Sequence, residues 1–123
     1  MTDAHASVRS VVDDVQAAVD FYTTHFGFTV NTSVIPAFAD VVSGPLRLLL
    51  SGAPSSGAKS TPADMNAPGR NRILVVVDDL DAEVVRLGEA GVPVRSDVVS
   101  GPGGRQILVA DPAGNLVEVF EPR

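Results

Sequence analysis

Val15, Ala18, Val19, Tyr22 and Phe26 recur at the i, i+3, i+4, i+7, i+11 spacing of a helix that turns one apolar stripe to a core. Asp14 stands just ahead, where a short polar side chain caps a helix, and Gly27 follows, where a left-handed residue ends one. A second stripe, Leu80, Val84 and Leu87, closes at Gly91. Each predicted helix is preceded by an apolar, strand-like run. Each is followed by three more strand candidates: Phe28-Thr29-Val30, Ala37 to Ser43 and Leu46 to Ser51 in the first half, and Val92-Pro93-Val94, Arg105 to Ala110 and Leu116 to Glu121 in the second. The order strand, helix, strand, strand, strand therefore occurs twice.

The repeat extends to the residues themselves. Val12-Asp13-Asp14-Val15-Gln16-Ala17-Ala18-Val19 reappears as Val77-Asp78-Asp79-Leu80-Asp81-Ala82-Glu83-Val84, and Gly44-Pro45-Leu46-Arg47-Leu48-Leu49-Leu50 aligns with Gly114-Asn115-Leu116-Val117-Glu118-Val119-Phe120. Two copies are too few for a solenoid, so the pattern predicts two modules sharing one core within a single domain, residues 1–123. The first βαβββ module occupies 1–51 and the second 71–123. Between them, 52–70 is rich in Ser, Gly, Ala and Pro, a composition that forms no packed element; it reads as a linker, a mobile lid or an arm exchanged with a partner.

Composition narrows the partners. Apolar residues make up 45% of the chain, enough for a core of ordinary size, and nine Lys+Arg against fifteen Asp+Glu give a formal charge of −6. Basic residues are scattered rather than striped. With no Trp and one Tyr there is no base-stacking platform either, so nucleic acid is not an expected partner. The absence of cysteine excludes a disulfide scaffold, a thiolate nucleophile and a thiol redox motif. Apolar runs such as Ile73 to Val77 fall far short of the ~20 residues that span a bilayer. Asp3 and His5 stand where a signal peptide would be basic and then apolar. A cytoplasmic chain without a membrane partner is expected. The glycine-rich Gly101-Pro102-Gly103-Gly104-Arg105-Gln106 lacks both the phosphate-loop pattern and a following helix. It reads as a hairpin turn from which Arg105 or Gln106 reaches a pocket mouth.

Phe21-Tyr22, Phe26-Gly27-Phe28, Val77-Asp78-Asp79-Leu80-Asp81-Ala82 and Asp111-Pro112-Ala113-Gly114-Asn115, in this order within a paired βαβββ chain, resemble the glyoxalase/bleomycin-resistance/dioxygenase family, the vicinal oxygen chelate superfamily. The resemblance covers essentially the whole chain. It implies an α+β, glyoxalase-like fold: two βαβββ modules forming a curved mixed sheet around a concave pocket. It also implies that metal-dependent members hold a divalent ion there, on ligands from the first and last strand of each module. Carried through the internal repeat, those positions are Ser7, Leu48, Arg72 and Glu118.

Of these four, Glu118 alone is a competent metal ligand. A serine hydroxyl is a poor one, Leu48 has no lone pair, and Arg72 is permanently cationic. A catalytic centre needs about three protein ligands and an open position, so no metal or other cofactor is expected. His5, two residues before Ser7, is the one residue that could add a donor on the same face. His25, in the last turn of the first helix, is expected to face water and complement the helix dipole. Strand alternation places Arg9 and Val11 beside Ser7, Leu46 and Leu50 beside Leu48, Leu74 and Val76 beside Arg72, and Leu116 and Phe120 beside Glu118. These residues would make a mostly apolar pocket in which Arg72 and Glu118 pair. The family resemblance then implies a homodimeric, metal-free protein of the bleomycin-resistance type that binds a small apolar or aromatic molecule through Ser7, Leu48, Arg72 and Glu118. The alternative is an enzyme of the same superfamily, a lyase, isomerase or dioxygenase. It would use an atypical metal site, or Glu118 as general base with Arg72 as oxyanion partner. A third reading is a pocket filled by its own side chains in a protein that works by association.

Overall fold

Both predicted helices start on an aspartate. Asp14 Oδ1 accepts from the amide of Ala17 at 3.0 Å and Asp79 Oδ1 from that of Ala82 at 3.1 Å, each satisfying one of the free N–H groups of a first turn. The computed structural model describes residues 5–123. Its elements run β1 (Ala6–Val11), α1 (Val15–Phe26), β2 (Thr29–Val34), β3 (Phe38–Ser43), β4 (Leu46–Ser51), α2 (Ser56–Ser60), β5 (Arg72–Val76), α3 (Leu80–Glu89), β6 (Val99–Gly101), β7 (Gly104–Ala110) and β8 (Leu116–Pro122). The strands form two four-stranded mixed sheets, ordered β1-β4-β3-β2 and β5-β8-β7-β6. In each sheet the first strand pairs in parallel with the last, across a helical crossover, and the rest of the ladder is antiparallel. The α+β fold of two βαβββ modules is thus the observed one.

One apolar cluster joins the modules. It includes Val15, Val19 and Tyr22 of α1, Leu48 and Leu50 of β4, Leu80 and Leu87 of α3, and Val117 and Val119 of β8. The predicted stripes supply its helical side, with Phe21 buried as well and Val84 and Phe26 at the margin, and strand residues make up the larger share. A polar network at the joint of the two halves is just as buried. The Tyr22 hydroxyl donates to Asp111 Oδ2 at 2.8 Å, Asp111 Oδ1 accepts from the amides of Ala113 and Asn115, and Asn115 Nδ2 donates to the carbonyl of Val11 at 3.4 Å. Burial first, then the Asp111 charge and the hydrogen bond to it, push the Tyr22 phenol well above its ordinary pKa. Asn71 continues the joint: its amide N–H donates to Asn115 Oδ1 at 3.0 Å and its side chain to the carbonyl of Arg9 at 2.9 Å.

Two expectations change. Val92-Pro93-Val94 is not a strand: Pro93 has no N–H for a ladder, and only Val94 forms a bridge, to Val109. The fourth strand of the second sheet is the short β6, joined to β7 by a two-residue hairpin in which Gly101 pairs with Gly104. Within 52–70, which composition had left without a packed element, Ser55 Oγ accepts from the amide of Ala58 and starts the single turn of α2. Ala58 is buried there, so part of the connector packs.

Candidate functional site

The two long helices cover one face of each sheet, α1 lying on β2, β3 and β4 and α3 on β8, and leave the other face without a long helix, only the short α2 meeting it at Arg9. Side-chain parity decides what each strand shows to that open face. Along β5 it shows Arg72, Leu74 and Val76, the last two 47% and 61% exposed. Along β8 it shows Leu116, Glu118 and Phe120, while Val117 and Val119 point into the core.

In the first module the predicted register is off by one. Leu48 is fully buried in the core with Leu50 beside it, so neither faces a pocket, while Leu46, packed at the edge of the core, borders only a hollow at the β3–β4 turn. Ser7 pairs with Arg47 and Arg9 with Leu49, just as Arg72 pairs with Leu116 and Leu74 with Glu118. Leu49, not Leu48, is therefore the counterpart of Glu118. The cause is the closing hairpin, which has two residues between Ser43 and Leu46 but five between Ala110 and Leu116, so counting from its glycine lands on opposite faces.

Arg72 and Glu118 do meet. Arg72 Nε and Nη2 both donate to Glu118 Oε1, at 3.1 and 2.7 Å. Ser7 lies on the open face and is exposed; Leu48 is absent from that face, and neither joins the pair. A divalent metal does not fit these positions. They supply a single carboxylate, already held by a guanidinium, and among the described residues no three His, Cys, Asp or Glu side chains gather anywhere. His5 is exposed and precedes the first residue of β1. His25 is in the last turn of α1 as expected, half-buried, with its ring packed edge-on against Phe21 at a centroid distance of 5.2 Å. Burial, followed by the Arg86 charge, lowers its pKa and favours the neutral ring.

A polar cluster that sequence reasoning missed occupies the open face of the first sheet. Asp40, fully buried, accepts from Arg47 Nε at 2.7 Å and Asn31 Nδ2 at 3.0 Å through Oδ2, while Oδ1 has no partner among the described residues. Burial pushes its carboxyl up, but the bonds from Asn31 and Arg47 and the guanidinium charge outweigh that and hold it below its ordinary value. The signal available was an Asp inside the β-rich Ala37 to Ser43 segment, facing Arg47 across a short hairpin. Of the two turn residues, Arg105 leaves for the helical side, bonding Asp81 and Glu121, while Gln106 pairs with Phe120 near Glu118.

Further hollows lie elsewhere, along β1. Two clefts of about 440 and 450 Å³ meet at Arg9. The first is walled by Val11, Met65, Arg70 and Asn71, the second by Phe38 and the start of α2. The connector is thus a wall of both. Another, of about 350 Å³, lies between the β3–β4 turn and Leu74 to Val76.

Comparison with known proteins agrees with this architecture. TnmS3, an antibiotic binding protein from Streptomyces sp. CB03234, superposes with a TM-score of 0.77 at 28% identity, over 97% of this chain and 95% of that one. A glyoxalase/bleomycin resistance protein from the same organism gives 0.69 at 30% identity, over 94% and 98%. A lactoylglutathione lyase from Agrobacterium tumefaciens gives 0.77 at 25% identity, over 98% and 94%. No match is found among curated proteins. No helix among the described residues is long and apolar enough to cross a membrane. Residues 4–119 match the model of the Glyoxalase/Bleomycin resistance protein/Dioxygenase superfamily, and the chain belongs to that superfamily.

Proposed function

We propose that this chain binds a small apolar or aromatic molecule on the open side of its sheets, as a drug-sequestering protein does, and without a metal. The Arg72–Glu118 pair carries the reading. Where a metal-dependent relative would converge its donors, this chain has a closed ion pair amid Leu74, Val76, Leu116 and Phe120. Apolar walls with a few oriented polar groups are the usual make-up of a small-molecule site. TnmS3, described as antibiotic binding, supports the ligand class. The reading includes a cytoplasmic homodimer, in which a second copy covers the exposed Leu74 and Val76.

Equilibrium dialysis and thermal-shift titration against aromatic and glycopeptide antibiotics test this. Binding by at least one is expected, with a stabilisation of about 2.7 kcal/mol at a hundredfold excess over Kd. No binder in the panel overturns the reading. Elemental analysis of protein purified without chelators is expected to find no stoichiometric divalent metal, and a stoichiometric one overturns the metal-free part. A single-chain mass in sedimentation at assay concentration overturns the dimer.

One observation favours a second, catalytic reading: both Arg72 bonds go to Oε1, so Glu118 Oε2 has no donor among the described residues and is free to act as a base. The lyase neighbour makes it worth testing. Turnover of a substrate that survives Glu118→Gln removes Glu118 from the chemistry.

A further inference from the structure

Four arginines stand on or beside the open side of β1 and β5, and they are not equivalent. Arg47 is neutralised by Asp40 and Arg72 by Glu118. Arg9 and Arg70, which line one cleft together, have no carboxylate within ion-pair distance among the described residues. Asp64 lines the same cleft without reaching either, leaving one excess positive charge there on a chain of net charge −6.

The Arg9 guanidinium is also held in place. Its Nη1 donates to Ser51 Oγ at 2.9 Å. From the other side the backbone of α2 closes on it at Gly57, where a Cβ would overlap the guanidinium itself. A fixed fork with unused N–H donors loses little entropy when it meets a planar anion. Val11 and Met65, the latter 62% exposed, provide apolar wall beside it.

We infer that the cleft between β1 and the connector is an anion subsite, in which Arg9 and Arg70 take the carboxylate, sulfonate or phosphate group of a ligand whose apolar body lies on Val11 and Met65. The inference deepens the proposed small-molecule binding and rests on it for the ligand's apolar body. It makes the preferred ligand an aromatic acid rather than a neutral or cationic compound.

Two fluorescent probes with the same aromatic body test it: 8-anilinonaphthalene-1-sulfonate, and the neutral N-phenyl-1-naphthylamine that lacks its sulfonate. The wild-type chain is expected to bind the sulfonate at least about tenfold more tightly than the neutral probe, the range of one or two charge-assisted hydrogen bonds. Arg9→Gln and Arg70→Gln should each remove most of that preference while leaving the neutral probe unchanged. Arg95→Gln, which removes the same charge from an exposed position outside the cleft, should leave the preference intact. Gly57→Ala, which displaces the Arg9 fork without changing charge, should weaken only the sulfonate. Thermal melts check that each variant is folded, and should Arg9→Gln not fold, Arg70→Gln and Gly57→Ala decide.

Equal binding of the two probes by the wild type overturns the subsite and leaves the small-molecule reading standing. So does a preference that survives both arginine substitutions. Failure of both probes to bind overturns the subsite and counts against apolar capture as well. Displacement of the sulfonate by inorganic phosphate alone, at equal concentration, would show that the cleft reads a bare anion, and overturns the part assigned to Val11 and Met65.

Discussion

Alanine at Leu48 and alanine at Leu49 should have clearly unequal consequences, although the two residues are neighbours on β4. Leu48 has no solvent exposure and sits in the cluster that joins the modules. Truncating it removes buried methyl groups and leaves a cavity that the surrounding β-branched side chains cannot collapse around, at a cost of about 3 kcal/mol. With an unfolding entropy of roughly 2.1 cal/mol/K per residue, a chain of 123 residues loses about 12 °C of Tm for that cost. Leu49 is half-buried on the open face, opposite Arg9, and its truncation should cost about 1 kcal/mol, or some 4 °C. Calorimetric melts of the two variants measure this directly. Titration of each with the sulfonate probe adds a second readout, in which Leu49→Ala changes affinity and Leu48→Ala, once folded, does not. Equal Tm losses, or a larger loss at Leu49, would refute the register and with it the placing of the site on the open face.

Tyr22→Phe should lower stability by about 2 kcal/mol, since it takes the donor from a buried carboxylate that also holds the Asp111–Asn115 turn; an unchanged melt would mean the hydroxyl contributes nothing. His25, whose folded pKa lies below its ordinary 6.5, makes the wild type lose stability as pH falls below 6.5, because the unfolded chain takes the proton first. His25→Gln should flatten the Tm profile as pH falls below 6.5. Arg47→Met strands the buried Asp40 charge and should cost about 3 kcal/mol at neutral pH. In the wild type the lowered Asp40 pKa stabilises above its ordinary 3.8 and is lost as pH falls through the folded value, so the deficit of Arg47→Met should shrink in acid.

Helix positions were legible because each carries redundant signals. Asp14 and Asp79 cap, the apolar stripes repeat, and glycines with positive φ, Gly27 at 68° and Gly91 at 75°, follow where the chain must turn out of the helix. The meeting of Arg72 and Glu118 was legible because the second module alone contains both partners. Leu48 failed for a reason internal to repeats: homology in sequence does not preserve hairpin length, and one residue of misalignment moves a strand residue to the opposite face. The buried Asp40 escaped because its partners come from β2 and β4, a pairing that only the ladder reveals. The connector was misjudged because one serine cap, at Ser55, is enough to start a turn that composition alone does not foresee.

Asn71 has one foot in each half of the molecule, its amide held by Asn115 and its side chain holding the Arg9 carbonyl, and it also walls the cleft. A ligand seated there would bridge the seam. Openings in which the halves part would then require its release, so amides near the seam should exchange with deuterium more slowly in the presence of ligand, even where no atom of it touches them. The cleft would be a clamp on the chain's own partial unfolding, and occupancy could be followed from the seam without a label on the ligand.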